Sequence, residues 1–152
     1  QSIFEGSTIN TPSMLCGEDW IDALNWSDSV GGLRGLMARA DANLAVLEKW
    51  VSTSRWAAFL CADKGTRSNT SVCLRIVDER VAKLAEEAQR AFVKRMETFL
   101  ESEKAAYDIG GYRDAPPGLR IWCGATVERA DVEALTRWLD WAFAEAIKKS
   151  EL

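Results

Sequence analysis

The residues of this chain best suited to chemistry are two arginines in one stretch, Tyr107-Asp108-Ile109-Gly110-Gly111-Tyr112-Arg113-Asp114-Ala115-Pro116-Pro117-Gly118-Leu119-Arg120-Ile121-Trp122. Arg113 sits in a loop rich in glycine and proline, and Arg120 lies just inside the apolar run Leu119 to Cys123. Proline fixes φ and removes a donor, while glycine opens positive φ, so the loop should be stiff and specifically shaped. A stiff loop with two guanidinium groups suits a carboxylate or phosphate ligand, because a planar fork meets two oxygens at once. The same residues also make a tight turn with two surface arginines. Arg120 is the sharper candidate, since a charge within Gly-Leu-Arg-Ile-Trp needs a partner if buried, whether ligand or internal carboxylate. A ligand reading requires both guanidinium groups to converge on one open pocket.

A second anion site is open at Asn10-Thr11-Pro12, where a side-chain amide and a hydroxyl meet the free N–H groups of a helix start. An ordinary capped helix accounts for the same residues. Little else points to catalysis. The chain has no histidine, which excludes His-based acid–base chemistry and His-ligated zinc. It carries no P-loop, no G-x-G-x-x-G and no G-x-S-x-G elbow. Its carboxylates spread along polar helix faces, and none of its lysines has the apolar surroundings expected of a Schiff-base lysine. No metal site is expected.

At 152 residues the length fits one ordinary domain, or a small domain with an extension. A net charge of −4 argues against a general nucleic-acid surface. No apolar run reaches the length of a membrane span, so neither nucleic acid nor membrane is expected as a partner. Cys16, Cys61, Cys73 and Cys123 are far apart among apolar neighbours and read as reduced core thiols of a cytoplasmic protein. The chain opens on Gln1 in what reads as structured sequence, which suggests a piece of a longer protein.

The arginine stretch needs elements to hold it. Residues 1–10 read as extended, then Thr11 and Pro12 open a helix over 13–30 whose apolar residues (Met14, Cys16, Trp20, Ile21, Leu24, Trp26) occupy several stripes. Such a helix expects partners on several sides. Gly31-Gly32 breaks it, and 33–51 resumes a 3.6 period. Strands are predicted at 56–62 and 70–77, then one long helix from Asp78 to about Lys104. Strands at 107–109 and 119–123 and a last helix over 130–149 complete the chain. After the two leading helices the order is β-β-α-β-β-α. That order predicts an α+β fold, a small, largely antiparallel sheet covered by helices on one face. A free-standing ferredoxin-like or regulatory amino-acid-binding module has this order too, without needing the leading helices.

Three stretches together resemble a known family: Phe4-Glu5-Gly6-Ser7-Thr8-Ile9-Asn10-Thr11-Pro12-Ser13-Met14, Arg67-Ser68-Asn69-Thr70-Ser71-Val72-Cys73, and Tyr107 through Arg120-Ile121-Trp122-Cys123-Gly124-Ala125-Thr126-Val127-Glu128. They are similar to the C-terminal part of the phosphoserine aminotransferases, and the resemblance covers essentially the whole chain. It implies a fold-type-I homodimer dependent on pyridoxal 5'-phosphate. Such an enzyme exchanges an amino group between glutamate and 3-phosphohydroxypyruvate in serine biosynthesis, acting on phosphorylated and dicarboxylate substrates. It further implies that Asn10 and Thr11 reach the cofactor phosphate of the neighbouring subunit. Arg120 would hold the substrate α-carboxylate and Arg113 the substrate phosphate, with Tyr112 beside it where another branch of the family has histidine. The resemblance places the cofactor-binding lysine upstream of Gln1, so the chain by itself is expected to be inactive. It divides the chain into 1–30, the tail of the cofactor-binding region and first interdomain helix, and 31–152, the small C-terminal domain.

Overall fold

A computed structural model of the chain describes Glu5, Gly6, Thr11 and residues 13–150. The expected extended segment, Asn10 and Pro12 therefore lie outside the described residues, apart from Glu5 and Gly6. The contact pattern divides the chain into two compact units, Gln1–Met37 and Ala38–Leu152.

In the first unit, helix α1 (Met14–Ser29) is capped by Ser13, whose side chain accepts from the Cys16 N–H at 3.3 Å. The predicted cap, Thr11, is not the one used. Ser13 is the extended residue that directly precedes the first helical turn, and there a hydroxyl meets the free N–H groups. No residue of α1 is buried, and its apolar side chains stand open, with Met14, Leu15 and Trp20 each more than 60% exposed. Gly31 (φ +99°) and Gly32 (φ +62°) make the break before α2 (Gly32–Thr53) in a backbone conformation that residues with a Cβ seldom adopt.

The second unit is built on a three-stranded antiparallel sheet of β1 (Ala57–Phe59), β2 (Ser71–Ile76) and β3 (Leu119–Trp122), in the order β1-β2-β3. Its register places Phe59 opposite Leu74, Val72 opposite Ile121 and Cys73 opposite Arg120. Period-two alternation then sorts the two faces. Val72, Leu74, Leu119 and Ile121 are buried beneath the helices, whereas Cys73, Arg120 and Trp122 share the other face. The helices over the buried face are α3 (Glu79–Ala82), α4 (Glu86–Ser102) and α5 (Arg129–Lys149). Their apolar stripes (Phe92, Met96 and Leu100 from α4; Val132, Leu139 and Phe143 from α5) close the core with Leu47 of α2. The α+β architecture with two leading helices is as expected.

Three further expectations change. The long helix from Asp78 is two helices, because Ala85 is extended (φ −58°, ψ 150°). The break is stabilised by the Gln89 side-chain amide, which donates to the carbonyls of Leu84 (2.8 Å) and Ala82 (3.3 Å). Asp78 does cap the first piece, accepting from the Arg80 N–H at 3.1 Å. The strand expected at 107–109 does not form. Asp108 adopts φ +51°, which ends extended pairing and leaves one bridge between Gly110 and Leu119. Finally, only Cys123 is a core thiol: Cys16 is exposed, and Cys61 and Cys73 are half-buried. All four are free, as expected.

Candidate functional site

The site is best built from β3 outward. Arg120 stands on the sheet face without helices, opposite Cys73. Its strand is pinned to the segment before the loop: the Arg120 N–H donates to the Ile109 carbonyl at 2.7 Å, and the Gly111 N–H donates to the Gly118 carbonyl at 3.2 Å. Gly118 can be nothing larger, because a Cβ there would run into the backbone carbonyl of Leu74 in the central strand. The proline segment is held by Arg90 of α4, whose guanidinium donates to the Ala115 carbonyl at 2.8 Å. The stiffness expected of this loop thus has physical anchors at three points.

The Arg120 side chain is 14% exposed. The Tyr112 ring lies 4.5 Å from its guanidinium carbon, a cation–π contact. One nitrogen, Nη2, donates to the Asp108 carboxylate at 3.1 Å and more weakly to the Asp108 carbonyl at 3.4 Å. The Asp108 side chain is 91% exposed. Nε of Arg120 is buried and has no hydrogen-bond partner. A charged fork with one donor unsatisfied and its carboxylate out in solvent is a grip held half open.

Arg67 shows what a structural arginine looks like here. It is 11% exposed, as buried as Arg120. Yet its Nε and Nη2 both donate to the Cys61 carbonyl at 3.3 Å, its Nη1 pairs with Glu48 at 3.1 Å, and it stacks over Phe59 at 3.7 Å. Each nitrogen of that guanidinium has an acceptor. Arg113 is different again, 93% exposed with Asp114 3.6 Å from its Nε. The structure therefore unites Arg120 with Tyr112 but does not bring Arg113 into the same hollow. The convergence of both guanidinium groups that the sequence led us to require is not met within this chain, and Arg120 alone carries the geometric case. That hollow, lined by Leu60, Cys73, Tyr112 and Arg120 among others, measures about 20 Å³, room for about one water. Thr11 is exposed, and its neighbour Asn10 lies outside the described residues.

Two residues that the sequence reading passed over shape the segment after β3. Asn43 of α2 is buried, and its amide donates to the carbonyls of Cys123 (3.2 Å), Gly124 (3.3 Å) and Val127 (3.0 Å). Arg39 donates from Nε to the Ala125 carbonyl at 2.7 Å and pairs with Glu128. The string Gly124-Ala125-Thr126-Val127-Glu128 is thus fastened to α2, which fixes the far end of the strand that carries Arg120. A polar asparagine on the apolar stripe of a predicted helix was the available signal. A larger hollow, about 620 Å³, lies between α2 and α5 along Ala42, Val46, Trp50, Arg129 and Arg137. It is open and holds no buried unpartnered polar group.

Among the described residues no cluster of acidic or cysteine side chains could hold a metal, and no helix is long and apolar enough to cross a membrane. All seven lysines are exposed, so none offers the desolvated setting of a Schiff-base lysine.

Comparison with known proteins adds to this geometry. No family model matches the chain. Phosphoserine aminotransferases from Methanosarcina mazei and Methanosarcina barkeri are each 52% identical to it over 143 residues, 94% of this chain. The chain belongs to the phosphoserine aminotransferase family. A third member, from a Nocardioides species, is 30% identical over 138 residues. The chain spans 36% of the length of the two Methanosarcina relatives. Among solved structures it superposes on the phosphoserine aminotransferase of Bacillus circulans subsp. alkalophilus with a TM-score of 0.70 and 22% identity. That match covers 94% of this chain and 36% of the other. Phosphoserine aminotransferase structures that record radiation damage of their Schiff base match equally well in shape, at 17% identity. At such identities the shared property is the fold.

Proposed function

We propose that this chain is the substrate-gripping C-terminal domain of a phosphoserine aminotransferase, with residues 1–30 the tail of the cofactor-binding region and 31–152 the small domain. The observation that carries the reading is a family match over 94% of the chain joined to an arginine with an unsatisfied buried donor. The whole enzyme transfers an amino group between glutamate and 3-phosphohydroxypyruvate in serine biosynthesis, as a cytoplasmic homodimer. Pyridoxal 5'-phosphate, when bound, supplies the electron sink for that exchange. Of the residues here, Asn10 and Thr11 would hold its phosphate in the neighbouring subunit. The exposure of every lysine agrees with an attachment site elsewhere in the enzyme.

This domain contributes recognition. Arg120 holds the α-carboxylate common to both substrates, in a planar, charge-assisted pair that fixes the position of the reacting carbon. The Tyr112 ring lies over the guanidinium, a cation–π contact that helps hold it in place. Arg113, on the rim and almost fully exposed, reaches the phosphate that only the acceptor carries. The small size of the hollow beside Arg120 agrees with a grip whose opposite wall belongs to the rest of the enzyme.

The test is transamination by the intact enzyme that contains this chain, with glutamate and 3-phosphohydroxypyruvate supplied. Phosphoserine should form, while the 152-residue chain alone forms none and retains no pyridoxal phosphate through gel filtration. An intact enzyme that ignores 3-phosphohydroxypyruvate but uses another carboxylated acceptor would overturn the assignment.

A further inference from the structure

We infer that Asp108 is an internal stand-in for the substrate carboxylate, occupying Arg120 while the site is empty and leaving when substrate arrives. The inference rests on the reading of Arg120 as the carboxylate grip and adds a residue that competes for it. Four observations carry it. Asp108 is the carboxylate paired with Arg120, at 3.1 Å. It uses one nitrogen of the fork only, whereas a carboxylate that meets a guanidinium side-on takes two. The second nitrogen, Nε, is buried and unsatisfied in this arrangement, so the pair as it stands is incomplete. Asp108 itself is 91% exposed on a turn residue at φ +51°, a conformation aspartate tolerates and other side chains resist.

An ion pair with one partner this exposed contributes little and is easily exchanged. Arg67 marks the contrast, because each of its three nitrogens, Nε included, already has an acceptor within the protein. A substrate carboxylate that displaces Asp108 takes both Nη2 and Nε, satisfies the orphaned donor and sends Asp108 fully into water. The consequence is a device that stabilises the empty site and weakens every carboxylate ligand by the same factor.

The experiment uses the intact enzyme and glutarate, a dicarboxylate that carries no amino or keto group to react. Asp108→Gly removes the carboxylate and suits the positive φ; Asp108→Asn keeps the shape without the charge. Both should tighten the Kd for glutarate by about two- to fivefold and lower KM for glutamate and for 3-phosphohydroxypyruvate alike, the range expected for displacing an exposed pair. Unchanged or weaker glutarate binding in both variants, or opposite shifts in the two, overturns the inference. Arg120→Lys is the separate control: if it leaves glutarate binding intact, the assignment of Arg120 itself fails. If it weakens binding while the Asp108 variants do nothing, only the stand-in role is lost.

Discussion

At the scale of single residues, three arginines with different surroundings predict three different losses. Arg120→Ala removes a charge-assisted pair from a mostly buried position, about 3–5 kcal/mol, so kcat/KM of the intact enzyme should fall on the order of a hundredfold or more for both substrates. Steady-state kinetics that stay near normal would exclude Arg120 from the grip. Arg113→Ala, fully exposed, should raise KM about tenfold for 3-phosphohydroxypyruvate and leave glutamate unaffected, because only the acceptor bears phosphate. Equal effects on both substrates would show that Arg113 does not read the phosphate. Arg67→Ala should act on stability instead. It strands the Cys61 carbonyl and leaves Glu48 with Lys64 as its remaining cationic partner, so chemical denaturation should report a loss of roughly 1–3 kcal/mol. From sequence Arg120 already stood out within its apolar run, but nothing there separated Arg67 from Arg113. Only their partners separate them.

At the scale of elements, the site depends on how β3 is held at both ends. On one side the Gly/Pro loop is tied to Ile109, Gly118 and Arg90. On the other, Asn43 gathers three carbonyls of the segment that leaves the strand. Asn43→Ala takes the side-chain donor from the Cys123 and Val127 carbonyls, while that of Gly124 keeps the Val127 N–H, which should lower stability by about 2–4 kcal/mol in urea unfolding. A change under half a kcal/mol would mean that water takes over the role. Most of these elements were legible from periodicity: the 3.6 stripes of α2, α4 and α5 and the alternation of β2 each correspond to buried faces. The failures have local causes. The Asp78 helix breaks at Ala85, a residue with strong helix propensity, and the side-chain amide of Gln89, one turn further on, satisfies the carbonyls that the break exposes. The strand before Gly110 is lost to a single positive φ at Asp108, which no pattern of apolar residues announces.

At the scale of the whole molecule, burial sets which thiols can react. Burial pushes the Cys123 thiol up to about 11, so it stays protonated and inert across the physiological range, while Cys16 stands exposed on α1. Alkylation at pH 8 followed by mass spectrometry should label Cys16 first and leave Cys123 unmodified until denaturant is added. Early labelling of Cys123 would contradict the packing of β3. The reading of four core cysteines failed because apolar neighbours in sequence do not say which sheet face a side chain takes. Cys73 alternates onto the face without helices, and Cys16 belongs to a helix with no buried residue.

The sequence by itself determined the α+β class, the order of most elements and the family, and it put Arg120 forward as a candidate, since periodicity, turn chemistry and a long specific string are local properties of the chain. The tertiary structure decided the rest. It set Arg113 apart from Arg120, placed Tyr112 against the guanidinium and left one buried donor without a partner. It also made Asn43 and Arg39 guardians of the strand end, more than eighty residues away in sequence. Pairings across such separations depend on which face each strand turns toward the helices, and that is settled only when the sheet and its cover pack together.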